Sequence, residues 1–195
     1  MITDNNKSFI LTYGNINVDE HLEKNPIEIV DRPDLKDHHI EHFLNHPDQE
    51  MRMYIATRQN LKPEHIDRLI HDESPHVVES VVSDHWKRMS KNQVDHIFKH
   101  GDRESKYWIA KSSHLDPSQL DHFVNHQNGD IRYSASQNKN LSQDHIRKLS
   151  GDENFHVRMY ISNREDTPDH VLHGMLSDSN EYVRGNARSN LARRK

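Results

Sequence analysis

The chain contains no cysteine. Disulfides, thiolate-held metal clusters and cysteine nucleophiles are therefore excluded. Glycine is scarce, at 6 of 195 residues, and no Gly-x-Gly-x-x-Gly or other phosphate-cradling loop occurs. His-Glu-x-x-His and Gly-x-Ser-x-Gly are absent as well. Serine, histidine and aspartate are plentiful, but nothing in their spacing makes a triad. Apolar runs stop at four residues, too short for a membrane span or a secretory hydrophobic segment. The expectation is a soluble cytoplasmic protein that is not an enzyme, with no catalytic residues, no cofactor and no small-molecule substrate. Hydrophobic residues make up only 32% of the chain, thin for one compact core of this length. Charge is nearly balanced, with 26 Lys and Arg against 31 Asp and Glu and a net charge of −5. That lacks the basic field that nucleic-acid binding normally requires.

What the chain does have is a repeat. Segments beginning at Leu35, Leu61, Met89, Leu115, Leu141 and Thr167 align with steps of 26, 28, 26, 26 and 26 residues. Each carries an apolar residue at the same place: Ile40, Ile66, Val94, Leu120, Ile146 and Leu172. Further residues three and four positions on, such as Phe43/Leu44, Ile97/Phe98 and Phe123/Val124, complete one face of a helix. Pro63, Pro117 and Pro168 suit the starts of three of these helices, and Ser90, Asp116 and Ser142 suit their caps. Asp48, Ser74, Asp102, Asn128, Asn154 and Asn180 are then placed to cap a second, shorter helix. Its i, i+4 stripe reads Met51/Ile55, Val77/Val81, Ser105/Ile109, Ile131/Ala135, Val157/Ile161 and Val183/Ala187. Neither helix can bury its stripe alone, so repeats must stack. The predicted class is all-α, an α-solenoid of about six two-helix repeats over residues 35–195. Residues 1–34 fit the repeat badly and are expected to form an irregular N-terminal cap or a docking arm, with apolar pieces at Phe9-Ile10-Leu11 and Ile27–Val30.

The segments Val157-Arg158-Met159-Tyr160-Ile161-Ser162-Asn163 and Val183–Asn190 resemble the second half of variant leucine-rich repeats. Leu61-Lys62-Pro63 through Ile66, Leu69 and Asp72 resembles the first half. The resemblance covers about residues 35–191, and its short motif overlaps with HEAT-type repeats. It implies alternating α and tighter 3₁₀ helices in a curved solenoid. An iron–sulfur module found in one architecture of that family cannot be built by a cysteine-free chain.

Two repeat-borne columns are candidates for function. Arg52, Lys106, Arg132, Arg158 and Arg184 occupy one position of the second helix, where only the second repeat differs, with Val78. Stacking would align them at roughly 10 Å steps. Beside them stand Tyr107 and Tyr133, then Tyr54, Trp108 and Tyr160, and some of these rings are expected in the core. Arginine among aromatic side chains is the composition of a binding surface, but such an arginine can equally bridge to an acidic residue or a loop carbonyl of the next repeat. Trp86 lies in the two-residue insertion of the second repeat and is either a partner contact or a filler of the longer turn. The second column is histidine, 18 in all, with i, i+4 pairs at His42/His46, His96/His100 and His122/His126. Metal binding needs more ligands than a pair supplies; capping, or a bond to Asp121 and similar neighbours, is the plainer role. Protonating all of them would take the formal charge from −5 to −5 + 18 = +13, so association or solubility should respond to pH near 6.

The expected function is a non-catalytic protein–protein interaction scaffold, gripping an acidic or extended partner with the arginine and aromatic face. The alternative is a HEAT-like nucleic-acid binder using the same cations.

Overall fold

A computed structural model describes residues 17–194. Phe9-Ile10-Leu11 lies outside the described residues. The described chain is helical throughout, with thirteen α-helices, two 3₁₀ turns and no strand. It divides into two compact units, one ending at His85 and one beginning at Trp86. The division falls inside the two-residue insertion of the second repeat.

The N-terminal unit holds α1 (Val18–Lys24), a 3₁₀ turn (Pro26–Glu28), α2 (Asp37–Leu44), α3 (Gln49–Ala56), α4 (Pro63–Leu69) and α5 (Pro75–His85). Ile29 and Val30 are buried, and Arg58 Nη1 donates to the carbonyls of Val30 (3.1 Å) and Arg32 (2.8 Å). Residues 29–32 thus bond to the first repeat in the way that later repeats bond to one another.

The C-terminal unit opens with a 3₁₀ turn (Trp86–Arg88). There follow α6 (Lys91–His100), α7 (Arg103–Ile109), α8 (Pro117–Val124), α9 (Gly129–Ser136), α10 (Gln143–Leu149), α11 (Phe155–Asn163), α12 (Asp169–Met175) and α13 (Glu181–Ala192). In each unit first and second helices alternate, and successive second helices pack side by side. Both predicted stripes are buried, from Ile40 to Leu172 on the first helices and from Met51 to Ala187 on the second, with Phe98 of the flanking pairs half-buried. Five of the six expected second-helix caps accept from first-turn amides: Asp48, Asp102, Asn128, Asn154 and Asn180. Ser74 differs, because its hydroxyl donates to Gln49 Oε1 at 2.7 Å. Ser90, Asp116 and Ser142 cap first helices as expected.

Two expectations about the second helices are corrected. They are not 3₁₀, and only in the third repeat is the second helix the shorter, seven residues in Arg103–Ile109 against ten in Lys91–His100. Gln49–Ala56 and Gly129–Ser136 run eight residues and Glu181–Ala192 runs twelve, all α. Their turns close i→i−4 bonds, as in Arg132 N–H to Asn128 C=O, and tight i→i−3 bonds are confined to the ends, as in Val157 N–H to Asn154 C=O at an entry and Asn138 N–H to Ala135 C=O at an exit. A 3₁₀ run of eight residues would stack side chains in register and weaken its hydrogen bonds, so length selects the α form.

A ladder holds neighbouring repeats together. One repeat position at the end of the second helix carries Arg58, Asn138 and Arg164, just past their helices, and Asn190, in the last turns of the longer final one. Each donates to two carbonyls of the preceding turn, 26 and 28 residues back. His85 has the same role, bonding Ala56 C=O at 2.9 Å. These are backbone acceptors at helix C-termini that would otherwise be buried without a partner.

Candidate functional site

On a second helix, the residue after the first core position is rotated about 100° from the stripe, and the next by about 200°. The first of these faces the neighbouring repeat and the second faces solvent. The arginine column occupies the first place. Arg132 donates from Nε and Nη2 to the two carboxylate oxygens of Asp152 at 2.7 and 2.9 Å. Its Nη1 bonds the carbonyls of His126 and Gln127 in its own repeat. Arg52 makes the same set with Asp72, His46 and Pro47, and Arg158 with Asp178, Asp152 and Glu153. The bidentate carboxylates hold all three guanidiniums still more firmly protonated than usual, and Arg158 pulls Asp178 below the normal carboxylate range. Arg184, in the last repeat, keeps only the two carbonyls, of Asp178 and Ser179.

Of the two roles open to these arginines, the bridge to an acidic residue of the next repeat is the one that Arg52, Arg132 and Arg158 make. Their donors are consumed by the next repeat's aspartate and their own turn, and Arg132 is 8% exposed. A signal for this stood in the sequence unread. Each clamp arginine is followed 20 residues later by aspartate, whereas Lys106 is followed by His126. Lys106 forms no ion pair with a described residue.

The second place carries Tyr107 and Tyr133, and the third carries Trp108. Tyr107, Trp108 and Tyr133 wall a half-open cleft of about 560 Å³ across α7, α9 and α11. Ile131 and the caps Asn128 and Asn154 also line it, as do Arg103, Glu104, Asp130 and His156, four residues with no role expected from the sequence. Tyr107 meets Trp108 edge to face at 5.4 Å, and Tyr133 meets His156 and Tyr160 at 6.2 Å each. Burial, with Tyr133 and Asp130 adding to it, raises the Tyr107 hydroxyl above its ordinary pKa. The expectation that some of these aromatics pack in the core is corrected too. Tyr54 is exposed, and Trp108 and Tyr160 are half-buried, since their positions project away from the apolar stripe.

Trp86 lies elsewhere in the C-terminal unit, in a second cleft of about 320 Å³ with Lys87, Lys111, Ser112, Ser113, Gln137 and Lys139. It is half-buried. The Lys111 ammonium stands 4.3 Å from the Trp108 ring centre, 4.7 Å from Tyr107 and 5.7 Å from Trp86, and Lys87 stands 5.6 Å from Trp86.

Histidines act in the scaffold. His39, His65 and His145 accept a helix N-cap N–H at Nδ1 and turn Nε2 to a carboxylate of the preceding helix layer: Asp19 at 2.9 Å, Glu41 at 3.4 Å and Asp121 at 2.7 Å. Gln119 does the same with Asp116 N–H and Asp95. An imidazole whose Nδ1 accepts an amide must carry its proton on Nε2. The group Asp19, His38 and His39 has metal-like spacing, but His39 cannot offer Nε2 as a ligand without losing that proton. The same holds for His46 and His126, whose Nδ1 atoms accept from Asp48 and Asn128. Rings in the pairs His42/His46, His96/His100 and His122/His126 lie 5.0–6.0 Å apart.

No helix among the described residues is long and apolar enough to cross a membrane. No protein-family model matches the chain, and no curated protein does either. Among solved structures the chain is similar to a leucine-rich repeat variant described as having a novel repetitive structural motif. The TM-score is 0.53 at 16% identity, covering 89% of this chain and 80% of that one. At that identity the likeness is one of fold: an all-α helical repeat.

Proposed function

We propose that the chain is a non-catalytic protein-interaction module that grips an extended partner segment in the cleft walled by Tyr107, Trp108 and Tyr133. The supporting observation is the cleft itself, which three successive second helices build by each contributing ring or polar positions at its rim. A segment crossing the helices would meet one such rung per repeat, as solenoid ligands do. Half-buried tyrosine and tryptophan are the side chains that anchor interfaces at low entropic cost. The arginine column supports an acidic partner poorly, because its charge is already matched by Asp72, Asp152 and Asp178. The same saturation weighs against a HEAT-like nucleic-acid track along that column.

The test is selection of peptides from a displayed library on the immobilised full chain, followed by calorimetric titration. Trp108→Ala and Tyr133→Ala should each weaken the selected peptides by roughly tenfold or more, the ordinary loss at an aromatic hot spot. Circular dichroism checks that both variants remain folded. Peptides that bind both variants as well as the parent would place the interface elsewhere and refute the reading.

A further inference from the structure

Three lysines converge on the Trp86 cleft, and no described carboxylate forms an ion pair with any of them. Other lysines of the chain contrast with this: Lys62 pairs with Asp37, and Lys91 with Asp95. Lys111 is half-buried and held in place by the faces of Trp86, Tyr107 and Trp108. The rings position its ammonium but supply no counter-charge. Burial, and then repulsion from Lys87, draw its pKa below the ordinary lysine value, the mark of a cation short of an anion.

We infer that the cleft formed by Trp86, Lys87, Lys111, Ser113, Gln137 and Lys139 binds the phosphoryl group of a phosphorylated segment on a protein partner. Three unneutralised ammoniums suit a dianionic tetrahedral oxyanion better than a single carboxylate, and the Ser113 hydroxyl and Gln137 amide add uncharged donors. Positive charge does not continue along the stack. One repeat beyond Lys111 stands Gln137, and one repeat beyond Lys139 stands Glu165. The site is a single spot on a chain of net charge −5, which favours one phosphoryl group over the string of phosphates that a nucleic acid presents. The anion site stands on its own observations; that a protein carries the phosphoryl group rests on the interaction reading above.

The two tryptophans of the chain, Trp86 and Trp108, both flank Lys111 and provide the readout. The full chain is titrated at low ionic strength with N-acetyl-O-phosphoserine amide while tryptophan fluorescence is followed. A saturable change at one site is expected, with no response to unphosphorylated N-acetylserine amide. Lys139→Gln, at an exposed position that does not endanger the fold, and Lys111→Gln should each weaken binding by roughly tenfold, as loss of a charge-assisted contact does. Tyr133→Ala should leave this titration unchanged, so failure of the aromatic-cleft reading would be seen separately. Absence of a saturable response, or affinity in both Lys139→Gln and Lys111→Gln that equals the parent's, overturns the inference. A thymidine oligonucleotide that binds more tightly than the phosphoserine probe also overturns it and assigns the site to nucleic acid.

Discussion

Removing the Arg132 guanidinium tests whether the cationic column is a clamp or a contact surface. Arg132→Ala would leave the Asp152 carboxylate, whose side chain is 6% exposed, facing a gap with only the Asn154 amide still bonded to it. It would also orphan the carbonyls of His126 and Gln127. Stranding one partner of a buried pair costs about 3–5 kcal/mol, and the orphaned carbonyls place Arg132 within that range rather than below it. Glu153 provides an internal control. It also touches Arg132, at 2.9 Å, but its side chain is 82% exposed, so solvent screens the pair and Glu153→Gln should cost under about 1 kcal/mol. Arg132→Met combined with Asp152→Asn should lose less than the sum of the two single changes, with a coupling of about 0.5–3 kcal/mol, because no charge is then left buried alone. Urea unfolding followed by far-ultraviolet circular dichroism measures all five variants, the two single changes of the cycle included. An Arg132→Ala variant within about 1 kcal/mol of the parent would refute the clamp and return Arg132 to the candidate binding face.

The clamp should be transplantable. Lys106→Arg with His126→Asp is expected to raise stability by about 1 kcal/mol where neither change alone does, and urea unfolding would show it. Gly101→Ala should destabilise by about 1–3 kcal/mol, since a Cβ there would sit 2.6 Å from the Ile97 carbonyl oxygen. Gly174→Ala, on a helix with open space around it, should stabilise by about 0.4–1 kcal/mol in the same assay. Burial, with His122 adding repulsion, lowers the His126 pKa, so the folded state favours neutral His126. Its contribution is complete above the unfolded value of about 6.5 and is lost as pH falls from there toward the folded value. Thermal melts between about pH 7.5 and 5.5 should show stability falling on acidification, and less steeply in His126→Gln; identical slopes would remove His126 from the account.

Much of the fold was legible because its causes are local. The 26-residue period, the two apolar stripes and the Asp, Asn and Ser caps are each set by neighbours within a helical turn, and the structure buries or bonds nearly all of them. Capping by His39, His65 and His145 could have been read the same way, from histidine three residues past each N-cap. The 3₁₀ form implied by the family resemblance failed for a local reason as well, since eight-residue segments prefer the better-aligned α hydrogen bonds. The exposure of the aromatic rings was not legible, because periodicity specifies which face is buried more sharply than how far the opposite face stands clear.

The order of residues sets which of them share a helix face and where the capped helices begin. What those faces meet depends on how the repeats pack. Arg132 and Tyr133 are chain neighbours of similar apparent promise, yet one is locked to an aspartate 20 residues on and the other lines an open cleft. The difference is one helical step of about 100°, read against the position of the next repeat. Lys111 shows the same dependence: its isolation from any carboxylate becomes visible only when three rings and two further lysines are gathered from different turns. Charge pairing is a property of distances across repeats, and those distances come from packing the stripes rather than from the order of residues along the chain.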